Sequence, residues 1–155
     1  MNADILRDSE DLIVQLRRIR LDLEGCATRS LTREKSNLSQ YAVLAILEEQ
    51  GELTMGTLAQ HLGTTMGAVT NLVDKLVAAG RADRARSEED RRVVRVKILP
   101  PGREMVGRVT RDTAEFLAGY FSDVPAEQRR TAVDVTARLV SAMRPVSGTR
   151  RTVTS

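Results

Sequence analysis

Several residue types that support whole classes of protein are scarce in this chain of 155 residues. One cysteine (Cys26) and one histidine (His61) exclude an internal disulfide scaffold and a zinc finger. There is no tryptophan, and two tyrosines and two phenylalanines are too few to stack single-stranded nucleic acid. The chain also lacks the short motifs of nucleotide-binding, hydrolytic and metalloprotease sites. We therefore expect a protein that is not an enzyme, with no cofactor and no metal.

Long apolar runs are missing as well. No stretch approaches the roughly 20 apolar residues that a membrane-spanning helix needs, and the first residues lack the apolar region of a signal peptide. We expect a cytoplasmic protein with no membrane partner. The net charge is only +3, and just three of the 24 basic residues are lysines. The remaining arginines suit phosphate and base-edge contacts, although a GC-rich genome explains the same bias.

What is present is a series of amphipathic helices. The first is predicted over about residues 9–25, with apolar residues at helical spacing: Leu12, Leu16, Ile19 and Leu23. The polar stretch 27–37 predicts a connection or a frayed helix end. The second helix is expected to begin at an N-cap, Ser39, and to end before Gly51.

Two short helices then follow in close succession. Thr54 is expected to cap the third helix, which ends at Gly63, and Thr64 or Thr65 to cap the fourth, which ends at Gly80. Two helices joined by such a turn form the helix-turn-helix pattern. Small and amide side chains on the fourth helix would let it lie close to base edges; a merely solvated helix face is the alternative.

Two short strands are predicted after these helices, over residues 81–86 and 93–99. The charged stretch between them is predicted to be the tip of a hairpin. A hairpin that follows a helix-turn-helix makes a winged helix. An arginine at the tip of a wing can enter a narrow minor groove. Asp90 is expected to pair with Arg84 or Arg86 and so to shape the wing, and an ordinary solvated turn is the alternative.

The C-terminal part predicts two more helices, over about residues 102–122, opened by Pro101, and about residues 126–143. The fold class is therefore mainly α, a winged helix-turn-helix with N- and C-terminal dimerisation helices in the order α-α-α-α-β-β-α-α. The expected divisions are a dimerisation helix, a DNA-binding lobe, two dimerisation helices and a disordered tail, at residues 1–36, 37–99, 100–145 and 146–155. A dimer would present two recognition helices about 34–36 Å apart to successive major grooves.

Four segments carry a resemblance to a known family: Leu38-Ser-Gln-Tyr-Ala-Val-Leu, Leu58-Ala-Gln-His-Leu-Gly, Val69-Thr-Asn-Leu-Val-Asp-Lys-Leu and Asp90-Arg-Arg. With Gly80 and Arg84 between the last two, they resemble the MarR family of bacterial transcriptional regulators over about residues 10–143. The resemblance implies a homodimeric repressor that binds a palindromic operator in double-stranded DNA. Many members release DNA when a small anionic or aromatic effector binds between the winged lobe and the dimerisation helices.

The resemblance also implies which residues contact DNA. Base contacts in the major groove map onto Thr65, Met66, Gly67, Thr70 and Asn71. Phosphate contacts map onto Thr64, Lys75 and Arg91, and the minor-groove arginine of the wing onto Arg92, which Asp90 orients. Arg86 completes the expected DNA-binding set, and Arg84 and Asp90 are expected to structure the wing.

The sequence departs from the family pattern at three places. Pro100 and Pro101 stand where Leu-Thr is common before a glycine, Gly67 and Ala68 where larger residues are common, and Asn71 where arginine is common. Asparagine can pair with adenine through two hydrogen bonds. Two alternative functions stay open: a winged-helix module that binds protein rather than DNA, and a regulator that senses oxidants through Cys26.

Overall fold

The computed structural model describes residues 3–86, 90 and 92–143. These residues form six helices and three strands, which confirms the mainly α winged-helix class and adds one short strand to the predicted order. The elements in chain order are α1 (Ala3–Arg33), α2 (Leu38–Gln50), β1 (Leu53–Thr54), α3 (Met55–Leu62), α4 (Met66–Ala78), β2 (Ala82–Arg86), β3 (Val94–Ile98), α5 (Pro100–Phe121) and α6 (Ala126–Met143).

Short polar side chains begin the central helices. The Thr54 hydroxyl accepts a hydrogen bond from the backbone N–H of Thr57 at 3.1 Å and caps α3. The Thr65 hydroxyl accepts from the N–H of Ala68 at 3.3 Å and caps α4. Both caps were predicted, because a hydroxyl at this position satisfies a backbone donor that the first turn leaves free. The cap of α2 is Asn37, two residues before the predicted Ser39.

Helix α1 is longer than the sequence predicts. Of the two alternatives for residues 27–37, the structure shows a helix end rather than a connection as far as Arg33, where the helix stops. Its last two turns place Cys26, Ala27, Ser30 and Leu31 on one buried face. A polar stretch of this kind has a weak helical signal of its own, and tertiary burial of one face stabilises the helix instead.

The three strands form an antiparallel sheet in the order β1-β3-β2. Arg84 of β2 and Leu53 of β1 both lie opposite Val96 of β3. Along β3 the side chains alternate: Val96 and Ile98 are buried, whereas Arg95 and Lys97 are exposed. The sequence pattern missed β1 because a strand of two residues is too short to show alternation.

The described chain divides into two compact units, one up to Phe116 and one from Leu117. In the first unit, helices α1 to α5 and the sheet enclose one apolar core. The core reaches beyond residues 37–99 on both sides, because Leu31 of α1 and Met105 and Val109 of α5 are fully buried in it. Its other fully buried side chains are Val43, Leu44, Leu47, Leu58, Val69, Val73, Leu76 and Val96.

The second unit contains the end of α5 and all of α6, and no residue of α6 is buried. Arg129 holds its turn together by donating from Nη1 to the carbonyls of Phe121, at 3.1 Å, and Val124. The predicted disordered tail, residues 146–155, lies outside the described residues. Among the helices that are described, none combines the length and apolar character needed to cross a membrane.

Candidate nucleic-acid interface

Helix α4 has one buried face and one fully exposed face. Val69, Val73 and Leu76 are completely buried in the core and fix the rotation of the helix about its axis. The opposite face therefore points to solvent, and it carries small or polar side chains: Gly67, Thr70, Asn71 and Asp74, with Met66 and Lys75 exposed at its edges. The structure thus gathers the expected base-reading residues on one accessible surface at the start of the helix.

The first turn of α4 is organised by its own backbone. Thr70 donates from its hydroxyl to the Met66 carbonyl at 2.8 Å, so its oxygen lone pairs and its methyl group remain available to a partner. Gly67 has ordinary helical backbone angles, and a Cβ built there would meet nothing within 4 Å. Packing inside the protein therefore does not require glycine at this position. Glycine is present even though it weakens a helix by about 1 kcal/mol relative to alanine.

Asp74 is the residue of this face that sequence reasoning missed. Its carboxylate forms an ion pair with the Arg84 guanidinium of β2, and both side chains are about half exposed, at 49% and 46%. Arg84 shares a strand face with buried Ala82, on the side of β2 that packs against α4. The pair joins the recognition helix to the wing and places a cation beside the one acidic side chain of the exposed face.

The partner predicted for Asp90 was wrong in part. Arg84 pairs with Asp74 instead, because its strand face looks toward α4. Asp90 acts on the backbone of the wing: its Oδ1 accepts a hydrogen bond from the N–H of Arg92 at 2.9 Å, and its carbonyl accepts from the N–H of Val93 at 2.9 Å. These two bonds turn the chain back toward β3.

The remaining wing residues differ in position. Arg86 is exposed at the end of β2, opposite Val94 of β3, and Arg92 is exposed at the start of the returning chain. Arg91, an expected phosphate contact, lies outside the described residues. Lys97 on β3 lies 3.3 Å from Asp83 and forms an ion pair with it, and Arg95 of the same strand is also exposed.

Recognition helix and wing border a common groove of about 420 Å³. Met66 and Thr70 line it from α4, Arg84 from β2 and Arg92 from the wing. The first residues of α3 and the preceding cap close one side: Thr54, Met55 and Gly56. The lining does not include four other residues that are expected to contact DNA, although each of them is exposed: Thr64, Asn71, Lys75 and Arg86.

Cys26 lies away from this surface, buried near the end of α1. Its Sγ is 3.7 Å from the backbone carbonyl of Asp112 on α5, so the thiol packs between two helices of the first unit. Across the described residues, no cluster of three histidine, cysteine or acidic side chains is arranged to hold a metal ion.

Comparison with known proteins identifies the family. The model of the MarR family matches residues 36–94, which include α2, α3, α4 and most of the sheet. The chain is 30% identical over 122 residues to the HTH-type transcriptional regulator PapX of Escherichia coli, covering 77% of this chain and 74% of PapX. It is 26% identical over 113 residues to the HTH-type transcriptional repressor MdtR of Bacillus subtilis, covering 73% of each.

The fold is also that of solved MarR structures. A MarR family protein from Bacillus stearothermophilus superimposes with a TM-score of 0.77 at 26% identity, over 94% of this chain and 99% of that one. These relatives are transcriptional regulators rather than enzymes, which confirms that expectation. The helix-turn-helix, the wing and these similarities together lead to one conclusion: the chain belongs to the MarR family of DNA-binding transcriptional regulators.

Proposed function

We propose that the protein is a homodimeric repressor that occupies a palindromic operator, with α4 in the major groove and Arg92 of the wing in the minor groove. The observation that carries this proposal is the groove that Met66 and Thr70 share with Arg84 and Arg92. Helix and wing are therefore neighbouring parts of one continuous surface. A protein that contacts both the major and the minor groove of a duplex needs such a surface. The name of MdtR, a repressor, supports the sign of regulation.

The contacts differ in what they contribute. Asn71 can read adenine through two hydrogen bonds, and the Thr70 methyl group can pack against thymine. Lys75, Thr64 and Arg86 are exposed, and contacts from them to phosphates would add affinity without sequence information. Arg92 would read the width and negative potential of the minor groove.

A second copy of the chain is the proposed partner for the apolar residues of α1. Ile5, Leu12, Leu16 and Ile19 recur on one face at helical spacing and are 42–60% exposed. Monomeric proteins rarely leave such a contiguous apolar stripe in water. In the second unit α6 has an apolar set of its own, also exposed: Val133, Val135, Leu139, Val140 and Met143. Homodimerisation would bury both sets and pair two recognition helices for a palindromic site.

The resemblance implies an effector between the winged lobe and the dimerisation helices; the groove between α4 and the wing is a different place, and we propose it as a second candidate site for a small effector that displaces DNA. The groove's volume of about 420 Å³ lies within the range of ligand sites. Arg84 and Arg92 offer cations to an anionic group, and Met55 and Met66 offer apolar surface to an aromatic ring. A compound held there would occupy the space between helix and wing and so compete with the duplex.

The experiment is selection of a random-sequence pool of duplexes with the wild-type protein, followed by titration of the enriched duplex. Arg92→Ala and Asn71→Ala should each weaken binding by about 1–3 kcal/mol. Arg111→Ala, which removes the same charge as Arg92→Ala from an exposed position on α5, is the control and should have little effect. Enrichment of no duplex, together with a stable protein complex, would favour the protein-interaction module instead.

A further inference from the structure

Glu34 lies one residue beyond α1 and joins two arginines from distant parts of the chain. Its carboxylate accepts two hydrogen bonds from the Arg108 guanidinium on α5, from Nε to Oε1 at 2.7 Å and from Nη2 to Oε2 at 3.2 Å. Arg81 Nη2 donates to the Glu34 backbone carbonyl at 2.6 Å and lies 3.4 Å from Oε2. The side chains of Glu34 and Arg81 are only 20% and 16% exposed, so water weakens these contacts less than in a surface pair.

Arg81 occupies the junction between the recognition helix and the wing. Its backbone N–H donates to the carbonyl of Leu76, in the last turn of α4, at 2.9 Å. Its carbonyl accepts from the N–H of Leu99, just after β3, at 3.0 Å. Gly102 of α5 packs so closely that a Cβ there would overlap this carbonyl oxygen. The position of Arg81 therefore determines both where α4 ends and where the two strands of the wing are anchored.

We propose that Glu34 is a positioning residue for DNA recognition, holding Arg81 against Arg108 so that α4 and the wing keep a fixed placement relative to α1 and α5. The proposal rests on the DNA-binding function proposed above. Groups that read a ligand must be held to within about 0.5 Å of their productive geometry. A supporting network can therefore change affinity without touching the ligand.

A contribution of the same network to folding stability alone is the alternative. The direction in which Glu34→Gln changes the affinity for DNA separates the two roles. Glu34→Gln removes one negative charge, which by itself strengthens the attraction to DNA phosphates. The positioning role has the opposite consequence, because the released Arg81 loosens both DNA-reading elements and binding weakens. A contribution to stability alone leaves only the charge effect, so that the fully folded variant binds DNA as tightly as wild type or more tightly.

Asp112 provides a matched control for this substitution. The pair between Arg33 and Asp112, at 3.6 Å, also joins the end of α1 to α5. Asp112→Asn removes the same charge from the same helix pair and leaves the contacts of Arg81 intact. A general loosening of α1 from α5 would affect both variants alike, whereas the positioning role belongs to Glu34.

The experiment measures the affinity of each variant for a duplex selected by the wild-type protein from a random pool, at a temperature at which circular dichroism shows every variant folded. We expect Glu34→Gln to weaken binding about tenfold, and Asp112→Asn to bind as tightly as wild type or more tightly. Arg108→Lys keeps the charge but loses the two-pronged hydrogen bonding, and we expect a smaller loss from it.

Unchanged or tighter binding by Glu34→Gln, or equal losses in Glu34→Gln and Asp112→Asn, would overturn the positioning role and leave the DNA-binding function standing. If Glu34→Gln does not fold, the affinity of Arg108→Lys decides instead: weaker binding supports the positioning role, and unchanged binding overturns it. We expect this variant to fold, because Arg108 is half exposed and the contact between Glu34 and Arg81 remains. A wild-type protein that enriches no duplex would contradict the proposed function itself.

Discussion

The carboxylate of Asp90 holds the backbone N–H of Arg92 at 2.9 Å, and so an acidic residue determines the direction in which the wing presents an arginine. The bond spans two residues and closes a turn of the kind that aspartate forms with its own chain. Asp90 thus acts through the backbone N–H of the residue whose side chain is proposed to enter the minor groove.

Asp90→Ala should release this turn and weaken binding to the selected duplex, although the substitution removes a negative charge. We expect a loss of about 1 kcal/mol from one such hydrogen bond, with the unfolding midpoint nearly unchanged because Asp90 and Arg92 are both exposed. Asp134→Ala, at an exposed position of α6, removes the same charge as a control. Tighter binding by Asp90→Ala would mean that its charge matters more than its turn.

Gly67→Ala should separate stability from binding. Because no atom lies within 4 Å of the added Cβ, the substitution should stabilise α4 by about 0.5–1 kcal/mol. If the helix backbone lies against a base edge or phosphate, the same methyl group should weaken DNA binding. Gly107→Ala, on α5 and equally free of neighbours, should stabilise the protein and leave binding alone. Denaturation measures the stability of the two variants, and titration measures their affinity for the selected duplex. If both variants bind DNA equally tightly, Gly67 does not belong to the contact surface.

Asp74→Asn should reduce the selectivity of the protein for its operator. The substitution frees the Arg84 guanidinium and removes the acidic charge of the recognition face, so electrostatic attraction to any duplex increases. It also breaks the pair that joins α4 to the wing, and this loss offsets the gain on the selected duplex alone. We expect affinity for a scrambled duplex to increase by about threefold to tenfold, with a steeper dependence on salt. Titrations of selected and scrambled duplexes at several salt concentrations provide the measurement. A parallel change for both duplexes would assign Asp74 a purely electrostatic role.

Glu34 predicts a specific dependence of stability on pH. Hydrogen bonding from Arg108, aided by the positive charges of Arg108 and Arg81, lowers the pKa of the Glu34 carboxyl below its ordinary value of 4.5, against the opposing effects of burial and of Asp112. A lowered pKa in the folded state means that the ionised carboxylate stabilises the protein above pH 4.5. This contribution is lost as the pH falls below that value and passes through the pKa of the folded state.

Urea denaturation of wild type and Glu34→Gln at a series of pH values checks this sign. We expect a difference in unfolding free energy of about 1.5–3 kcal/mol at neutral pH, the size of a hydrogen bond to a charged group, and we expect this difference to shrink in acid. Glu24→Gln, in the exposed pair with Arg20, should change stability little at any pH. A difference that persists unchanged in acid would contradict the assignment.

Local signals in the sequence predicted the centre of the fold well. Thr54, Thr65 and Gly63 mark the turns of the helix-turn-helix because caps and left-handed glycines act within a few residues of themselves. The alternation of apolar residues around Val96 likewise located β3. These features depend on chemistry between neighbours in the chain, and the sequence displays such neighbours directly.

The connections between elements could not be predicted in the same way. Arg84 has acidic residues on both sides in the sequence, and only the packing of β2 on α4 selects Asp74 as its partner. Glu34 and Arg108 are 74 positions apart, so no periodicity relates them. The end of α1 was missed for a similar reason, because the burial that stabilises it comes from distant parts of the chain.

Sedimentation velocity of the selected duplex titrated with wild-type protein distinguishes a dimer that binds an operator from a monomer. We expect two chains on each duplex, binding together as a preformed dimer, with an affinity that falls steeply as salt increases. A free protein that sediments as a monomer and binds as one chain per duplex, or a complex whose affinity is indifferent to salt, would contradict it.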